Sequence, residues 1–366
     1  MKFSIQREAL LKPLQVVNGV VERRQTLPIL SNVLLSLQKD SLALTGTDLE
    51  VEIVAKLALE SGDEGEITLP ARKLLDICRT LPEGAKIEMR IDGEKATVRS
   101  GRSRYTLATL PAAEYPAIDP IEAPFEFRVA QNVLKQLIER TQFAMAQQDV
   151  RYYLNGLLFE IQGDQIRAVA TDGHRLAVSE AAVVTAIDEP RQVIVPRKGV
   201  LELQRLLEDS DAEVRVQIGS NHIKLELGDV SFTSKLIDGR FPDYERVLPK
   251  TGEKVVRVDR NLLRQAFTRA AVLSNEKYRG IRLQLEEGVL RATVHNPEQE
   301  EAEEEIEVDY HGDAFEVGFN VNYLLDALGV LRADEVEVHL SDPNSSCLIQ
   351  AKEEPESRYV VMPMRL

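Results

Sequence analysis

The chain of 366 residues is poor in cysteine, in long apolar runs and in positive charge. Its two cysteines, Cys78 and Cys347, are too few for a disulfide framework, which fits a reducing cytoplasm. Neither stands in a CxxC or Cys/His cluster, so a structural zinc site is not expected. Besides His174, the histidines His222, His295, His311 and His339 are scattered; neither a metal nor a cofactor is expected. No apolar run approaches the ~18 residues that cross a bilayer. The start, Met1 to Glu8, lacks a signal peptide's apolar core. The expectation is a cytoplasmic protein with no membrane partner. Lysine and arginine number 45 against 60 acidic residues, a formal charge of −15. Taken whole, that balance argues against nucleic-acid binding. With 43% hydrophobic and 29% charged residues, the composition is globular, and the length allows two to three domains.

What is present is an internal repeat. Asp48, Asp172 and Asn296 follow one another at intervals of 124 residues. The strand-like runs beginning at Val33, Leu157 and Ile281 keep the same step. Each copy opens with a helical spacing of apolar residues: Leu10, Leu11, Leu14 and Val17; Val133, Leu134, Leu137 and Ile138; Leu262, Leu263 and Phe267. A second short helix follows, around Leu74 to Cys78, Leu201 to Leu206 and Leu324 to Leu328. Alternating strands then start at Lys86, Glu213 and Glu335, with turn signals such as Asp92-Gly93 and Asp342-Pro-Asn344. A repeat of this length is domain-sized rather than a solenoid unit. The expectation is three α+β domains, 1–124, 125–250 and 251–366. Pro120 and Pro124 mark the first joint, and Pro249, Thr251 and Gly252 the second.

Divided this way, the copies carry −2, −3 and −10. Six segments expected as helices (6–26, 72–81, 130–148, 197–207, 260–280 and 321–332) together carry +11, leaving −26 elsewhere. If the helices share one side, that side attracts phosphates without reading bases. The plainer alternative is that exposed helices carry arginine and lysine by chance. No zinc finger or basic zipper is present.

Particular stretches add a resemblance. Thr26-Leu-Pro-Ile-Leu30, Leu44-Thr-Gly-Thr-Asp-Leu-Glu50, Arg151-Tyr-Tyr-Leu-Asn-Gly156, Thr171-Asp-Gly-His-Arg-Leu176 and Pro196-Arg-Lys-Gly199 occur in order. Asp238-Gly-Arg-Phe-Pro-Asp243, Asn275-Glu-Lys-Tyr-Arg-Gly280, Asn296-Pro-Glu-Gln-Glu-Glu301 and Val361-Met-Pro-Met-Arg-Leu366 complete the set. With these the whole chain resembles the bacterial sliding clamps of the proteobacterial type, the beta subunits of DNA polymerase III. The resemblance implies three tandem clamp domains, each with two helices packed on antiparallel sheets. It implies a head-to-tail homodimer closing into a ring whose helices line the hole. It also implies a non-catalytic processivity factor that encircles duplex DNA without reading sequence and tethers DNA polymerases and repair factors by a short peptide. An ATP-driven clamp loader would open the ring.

Site residues follow from the same resemblance. DNA contacts fall on Arg24, Arg72, Gln148, Tyr152, Tyr153 and Lys198; for Arg151-Tyr152-Tyr153 the residues alone fit interface packing as well as stacking on a base. The implied partner-peptide cleft lies between the second and third domains. It is lined by Leu154, Thr171, Gly173, His174, Arg175, Leu176, Pro242, Arg246, Val247, Asn320, Tyr323, Ser346, Val360, Met362, Pro363, Met364 and Arg365. Methionine suits a surface that receives many partners. Asn344 and Cys347 depart from the small or apolar residues expected near it. Thr171 to Leu176 also invites a hydrolase reading, with Asp172 orienting His174 as base. The first and third copies have no histidine at the corresponding position and no nucleophile motif accompanies it, so binding or structure is the better reading. At the implied dimer contact, Lys73 and the basic strand Arg102, Arg104, Tyr105 and Leu107 face Val272, Leu273 and the acidic run Glu300, Glu301, Glu303 and Glu304. On the residues alone, that acidic run reads as a solvated loop.

Overall fold

The computed structural model describes residues 1–22, 27–59, 61–116, 118, 122–249 and 254–365. The first stretch runs β1 (Lys2–Gln6), α1 (Arg7–Val17), β2 (Asn32–Gln38), β3 (Ser41–Thr47), β4 (Val51–Ala58), β5 (Gly62–Asp63), β6 (Gly65–Pro70), α2 (Ala71–Thr80), β7 (Lys86–Asp92), β8 (Lys95–Ser100) and β9 (Ser103–Ala108). The middle runs β10 (Phe125–Ala130), α3 (Gln131–Glu139), β11 (Gly156–Thr171), β12 (Arg175–Pro196), α4 (Arg197–Leu206), β13 (Glu213–Ile218), β14 (His222–Leu227) and β15 (Val230–Lys235). The last runs β16 (Lys254–Asp259), α5 (Arg260–Ala270), β17 (Gly280–Glu286), β18 (Val289–His295), β19 (Glu301–Glu307), β20 (Phe315–Asn320), α6 (Val321–Val330), β21 (Glu335–Leu340), β22 (Cys347–Gln350) and β23 (Ser357–Val361).

The helices form where the apolar spacing demands it. Leu10, Leu14 and Val17 of α1 are fully buried, as are their counterparts Leu263, Phe267 and Ala270 in α5. The helices are shorter than the charged segments read from sequence. Residues 6–26, 130–148 and 260–280 yield only Arg7–Val17, Gln131–Glu139 and Arg260–Ala270, because short 3-10 turns and loops follow the first helix of each copy. Over the observed spans the six helices carry +7 rather than +11.

The chain divides into two compact units. The first, Met1–Asn132 with Lys198–Leu236, holds a five-stranded sheet, β5-β1-β7-β8-β9, and an eight-stranded sheet, β10-β13-β14-β15-β4-β3-β2-β6. The second, Val133–Arg197 with Ile237–Leu366, holds a six-stranded sheet, β11-β12-β23-β22-β21-β16, and a four-stranded sheet, β19-β18-β17-β20. All pairings are antiparallel.

Two of these sheets cross from one copy to the next by the same rule. Within the first unit β15 pairs with β4, Ser234 opposite Val51 and Phe232 opposite Ile53. Within the second, β23 pairs with β12, Val361 opposite Arg175 and Tyr359 opposite Ala177. In each join the last strand of one copy lies against the strand that follows the repeated aspartate turn of the copy before it. The counterparts left over are β9, the last strand of the first copy, and β19, the post-turn strand of the third. Each ends its sheet. The acidic run read as a solvated loop is therefore strand β19.

The repeated aspartate closes that turn. Asp48 accepts the N–H groups of Glu50 and Val51, and Asp172 those of His174 and Arg175. The Thr47 and Thr171 hydroxyls donate to the carbonyls of Val51 and Arg175. Leu49 and Gly173 both adopt positive φ, at 79° and 87°. Asn296 does the same work in the third copy, accepting from Glu300 N–H at 2.9 Å. The 124-residue period is thus a period of turns closed by an Asp or Asn side chain, Asx turns in the first two copies and a longer turn in the third.

In the second unit a buried carboxylate ties three elements. Glu354 accepts the N–H groups of Arg332 and Ala333, both at 2.6 Å, past the end of α6, and the Arg140 guanidinium at 2.8 Å. Replacing Glu354 with alanine leaves two N–H groups without their acceptor and takes one of two carboxylates from the nearly buried Arg140 guanidinium, which keeps Glu356 at 2.6 Å, so stability should fall by about 3 kcal/mol. Thermal unfolding checks this: the midpoint should drop by several degrees, and an unchanged midpoint would contradict it.

Candidate functional site

The Thr171 to Arg175 turn and the chain's end meet in the second unit. Leu176 of β12 lies opposite Val360 of β23, which lies opposite Leu348 of β22. These three join Leu154, Ile194, Phe241 and Tyr244 in one buried apolar cluster. Leu154, Leu176 and Val360 are at most 3% exposed, so they form the floor of the site rather than its open walls. Past β23, Met362 N–H donates to the His174 carbonyl at 2.9 Å and Met364 N–H to the Gly318 carbonyl at 2.8 Å. The tail is thus tied down at alternate residues, leaving Met362 48% exposed and Pro363 half-buried beside it. Arg365 is exposed.

Pro242, Arg246 and Val247 sit on the segment held down by Phe241 and Tyr244. The Tyr244 hydroxyl donates to Glu160 and accepts from Arg167 at 2.9 Å; burial raises its pKa, and the Glu160 hydrogen bond adds to that. The three expected residues are themselves exposed, with Arg246 paired to Asp243 at 2.7 Å. Asn320 caps α6, accepting from Asn322 N–H at 2.9 Å. Ser346 is half-buried just before β22.

Arg175 is the hub. Its guanidinium pairs with Asp172 at 3.2 Å and with Asp326 of α6, and donates to the Phe143 carbonyl at 2.8 Å. It also stacks 4.4 Å from the Tyr323 ring centroid. Asp172 is therefore fully engaged by N–H groups and by Arg175, and is not the orienter that a catalytic His174 would need. Cys347 does not face the cluster. It lines a cavity of about 20 Å³ in the apolar core under α5 and α6, with Phe267, Phe319 and Leu324, while its neighbour Leu348 points to the cluster. Asn344 lies in an exposed turn, its N–H bonded to Asp342.

The expected DNA contacts divide. Tyr152 is 57% exposed and packs edge-on against Tyr153 with centroids 5.8 Å apart. The loop before them is held by Asn155, which bonds Asp149 from both sides and leaves Gln148 exposed and Val150 94% exposed. Hydrogen bonds from Arg151 hold the Asp149 carboxyl near pKa 2, so Asp149 stays ionised and its charge is offset within the loop by Arg151 at 2.9 Å. In the first unit, Lys198 pairs with Glu22 and Asp48, so its charge is already neutralised. Sequence reasoning missed this pairing, since the partners lie far away along the chain. Arg72 donates to the Val21 carbonyl at 3.4 Å. Arg24 lies outside the described residues.

At the expected dimer contact, Lys73, Arg102 and Arg104 are exposed, Tyr105 is half-buried and Leu107 is buried. Val272 is 77% exposed and Leu273 half-buried. On β19 the carboxylates are partly engaged within the chain: Glu304 with Arg269 at 2.6 Å and Glu303 with Arg291 at 3.3 Å. Glu301 lies 3.9 Å from His295, and Glu300 accepts from the Asn296 side chain at 2.7 Å.

The three tandem copies agree with the comparisons. Family models for the DNA polymerase III beta subunit match its N-terminal domain at residues 1–119, its central domain at 128–243 and its C-terminal domain at 245–365. The chain is 58% identical to the beta sliding clamp of Pseudomonas aeruginosa and 55% to that of Escherichia coli, covering 100% of both sequences in each case. A crystal structure of the P. aeruginosa DNA polymerase III subunit beta superposes with a TM-score of 0.98 at 57% identity, over 100% of both chains. The polymerase III beta structure from Caulobacter crescentus gives 0.95 at 41% identity, again over 100% of both. The chain therefore belongs to the DNA polymerase III beta-subunit family, the bacterial sliding clamps.

Two predictions follow from this geometry. Burial lifts the Cys78 thiol to about 11 and the Cys347 thiol to about 12, so at pH 8 neither is a thiolate. An aromatic disulfide reagent should label no cysteine in the folded protein and two after denaturation; rapid labelling of the native chain would contradict the assignment of Cys347 to the core. Arg175→Met should lower the thermal midpoint, at a cost of about 3 kcal/mol, by leaving Asp172 and Asp326 without their shared cation.

Proposed function

We propose that this protein acts as a homodimeric ring around duplex DNA, a processivity clamp without catalytic activity, built from domains 1–124, 125–250 and 251–366. The observation that carries this reading is the rule of the two sheet joins. Last strand pairs with post-turn strand twice within the chain, and β9 and β19 are the same two elements left without that partner. One copy's β9 on another's β19 is a heterologous contact, which yields a ring when its rotation closes. Two chains of three domains close it head to tail.

The joins also give a register. Val51 and Arg175 correspond to Glu300 by their bonds to the turn residue, and Ser234 and Val361 correspond to Leu107 by their partners in the last hairpin of each copy, Ile223, Cys347 and Ala96. Carried to the dimer, Leu107 lies opposite Glu300, Tyr105 opposite Ala302 and Arg104 opposite Glu303. The strand that carries Arg102 and Arg104 thereby meets the acidic one. Val272 and Leu273 supply apolar cover beside it, and Lys73 lies near.

A ring holds DNA by topology, so the contacts need not be tight. Tyr152, Tyr153 and Gln148 present an exposed stacking and hydrogen-bonding loop, and Arg24 and Arg72 supply phosphate contacts. Lys198 would reach DNA only by leaving Glu22 and Asp48. Polymerases and repair factors would dock a short apolar peptide over the Leu176, Val360 and Leu154 floor, with Met362 and Met364 adapting to different side chains. Pro242, Val247, Tyr323 and Arg175 would border it. A P. aeruginosa sliding clamp 58% identical to this chain has been solved bound to griselimycin. The setting is the cytoplasm, and an ATP-driven loader opens the ring.

Charge reversal tests the pairing. Arg104→Glu should raise the dimer dissociation constant at least tenfold by sedimentation, and adding Glu303→Arg should restore most of the loss. Adding Glu304→Arg, on the other face of β19, should not. A dimer indifferent to Arg104→Glu, or rescued equally by both, would overturn the register.

A further inference from the structure

The first unit shows how a helix of one copy locks onto a helix of the copy before it. Arg205, in the last turn of α4, donates to the carbonyls of Val16 at 2.7 Å and Gln15 at 3.5 Å, at the C-terminal end of α1. Glu202, one turn back on α4, holds the guanidinium at 2.8 Å. A guanidinium at a helix C-terminus satisfies carbonyls that have no intrahelical partner and meets the negative end of the helix dipole. Its fit over the chain is close: a Cβ on Gly19 would stand 2.0 Å from Arg205 Nη2.

The strand pairings set the correspondence among copies. Pro70, Pro196 and Asn320 pair with Asn32, Gly156 and Gly280, so α2, α4 and α6 begin in step. Gln6, Ala130 and Asp259 pair with Lys86, Glu213 and Glu335, so α1, α3 and α5 do too. Arg205 then corresponds to Arg79 in α2 and to Gly329 in α6, and Glu202 to Asp76 and Asp326. The acceptors Gln15 and Val16 correspond to Thr268 and Arg269 at the end of α5.

The second unit shows what happens where the arginine is missing. Around Gly329 lies an open groove of about 370 Å³ bordered by Glu139, Phe143 and Arg264. Phe143 stands where the first copy has Gly19, and Asp326 pairs instead with Arg175 from the β12 turn. On α2, by contrast, the whole device is present. Arg79 pairs with Asp76 at the same i, i+3 spacing, at 3.8 Å, and both side chains are more than half exposed.

We propose that Arg79 caps the C-terminal end of α5 in a second copy of this chain, donating to the carbonyls of the partner's Thr268 and the partner's Arg269 with Asp76 holding its guanidinium. This rests on the head-to-tail dimer proposed above and adds to it a helix-to-helix contact separate from the β9–β19 pairing. Within its own chain Arg269 is held by Glu304 at 2.6 Å, which keeps that cation off the α5 carbonyls. Val272 occupies the place of Gly19, so the stem of the incoming Arg79 lies over its methyl groups and the guanidinium sits toward the Thr268 carbonyl.

The test compares two matched substitutions that keep the aliphatic stem. Arg79→Met should raise the dimer dissociation constant about tenfold, read by subunit exchange between fluorescently labelled full-length chains, with the thermal midpoint nearly unchanged. Asp76→Asn should give a smaller rise, and Arg79→Lys should rescue only in part, because one ammonium cannot hold both carbonyls in the guanidinium's geometry. Arg205→Met should do the reverse, lowering the thermal midpoint and leaving the dimer constant within twofold. A dimer constant unchanged by Arg79→Met, with wild type dimeric, overturns the cap and leaves the strand pairing standing. A wild-type chain that is monomeric overturns both.

Discussion

Everything in this chain depends on what a sheet edge does with its unpaired N–H and C=O groups. An exposed edge is a template for another strand. Here the edges are used: β15 closes on β4 and β23 on β12, so consecutive copies share continuous sheets rather than touching across side chains. That is why the compact units cut the middle copy in two, with β10 and β13 to β15 going one way and β11 and β12 the other. A strand ladder fixes register and direction at once, and the same rule applied twice within the chain leaves one basic edge and one acidic edge. Charge on those edges does two things. It discourages like edges from pairing, and it favours the one heterologous pairing that closes.

The electrostatics follow the same logic of local neutralisation. An acidic protein that surrounds DNA needs a lining that attracts phosphates without gripping them, since each phosphate contact held adds to the salt-dependent grip. The helices carry a modest positive sum, and several of their cations are already engaged. Arg205 caps a helix end, Arg269 is held by Glu304 and Lys198 by Glu22 and Asp48. What remains exposed is sparse, and Tyr152 offers a ring rather than a charge.

Much of the fold was legible because it is repeated. The period of 124 is carried by residues with local jobs: Asp48 and Asp172 close Asx turns, and Leu10, Leu14 and their counterparts line helix faces. Such signals depend on near neighbours in sequence and survive without tertiary knowledge. The helix ends were less legible, since the turn after α1 and the 3-10 turns after α3 and α5 keep an apolar pattern without helical pairing. The acidic run read as a loop because its single apolar anchor, Ile306, is too little alternation to declare a strand; its ladder with β18 decides it. Cys347 was placed on the wrong side for a simple reason. In the short, wholly buried start of β22 the period of two leaves both faces apolar, so only the packing shows that Leu348 joins the buried cluster and Cys347 the core under α5 and α6. The ion pairs of Lys198 and the carbonyl contacts of Arg205 were beyond reach, because their partners lie some 150 to 190 residues away.

The central claim is that the chain holds DNA by enclosure and not by grip. The most direct measurement loads the full-length dimer with a bacterial clamp loader onto a nicked plasmid circle, then follows retention in high salt before and after the circle is cut once. Enclosure predicts that the protein stays on the circle, resists salt and runs off the linear form. Equal, salt-dependent loss from circle and line would contradict it and would mean ordinary electrostatic binding.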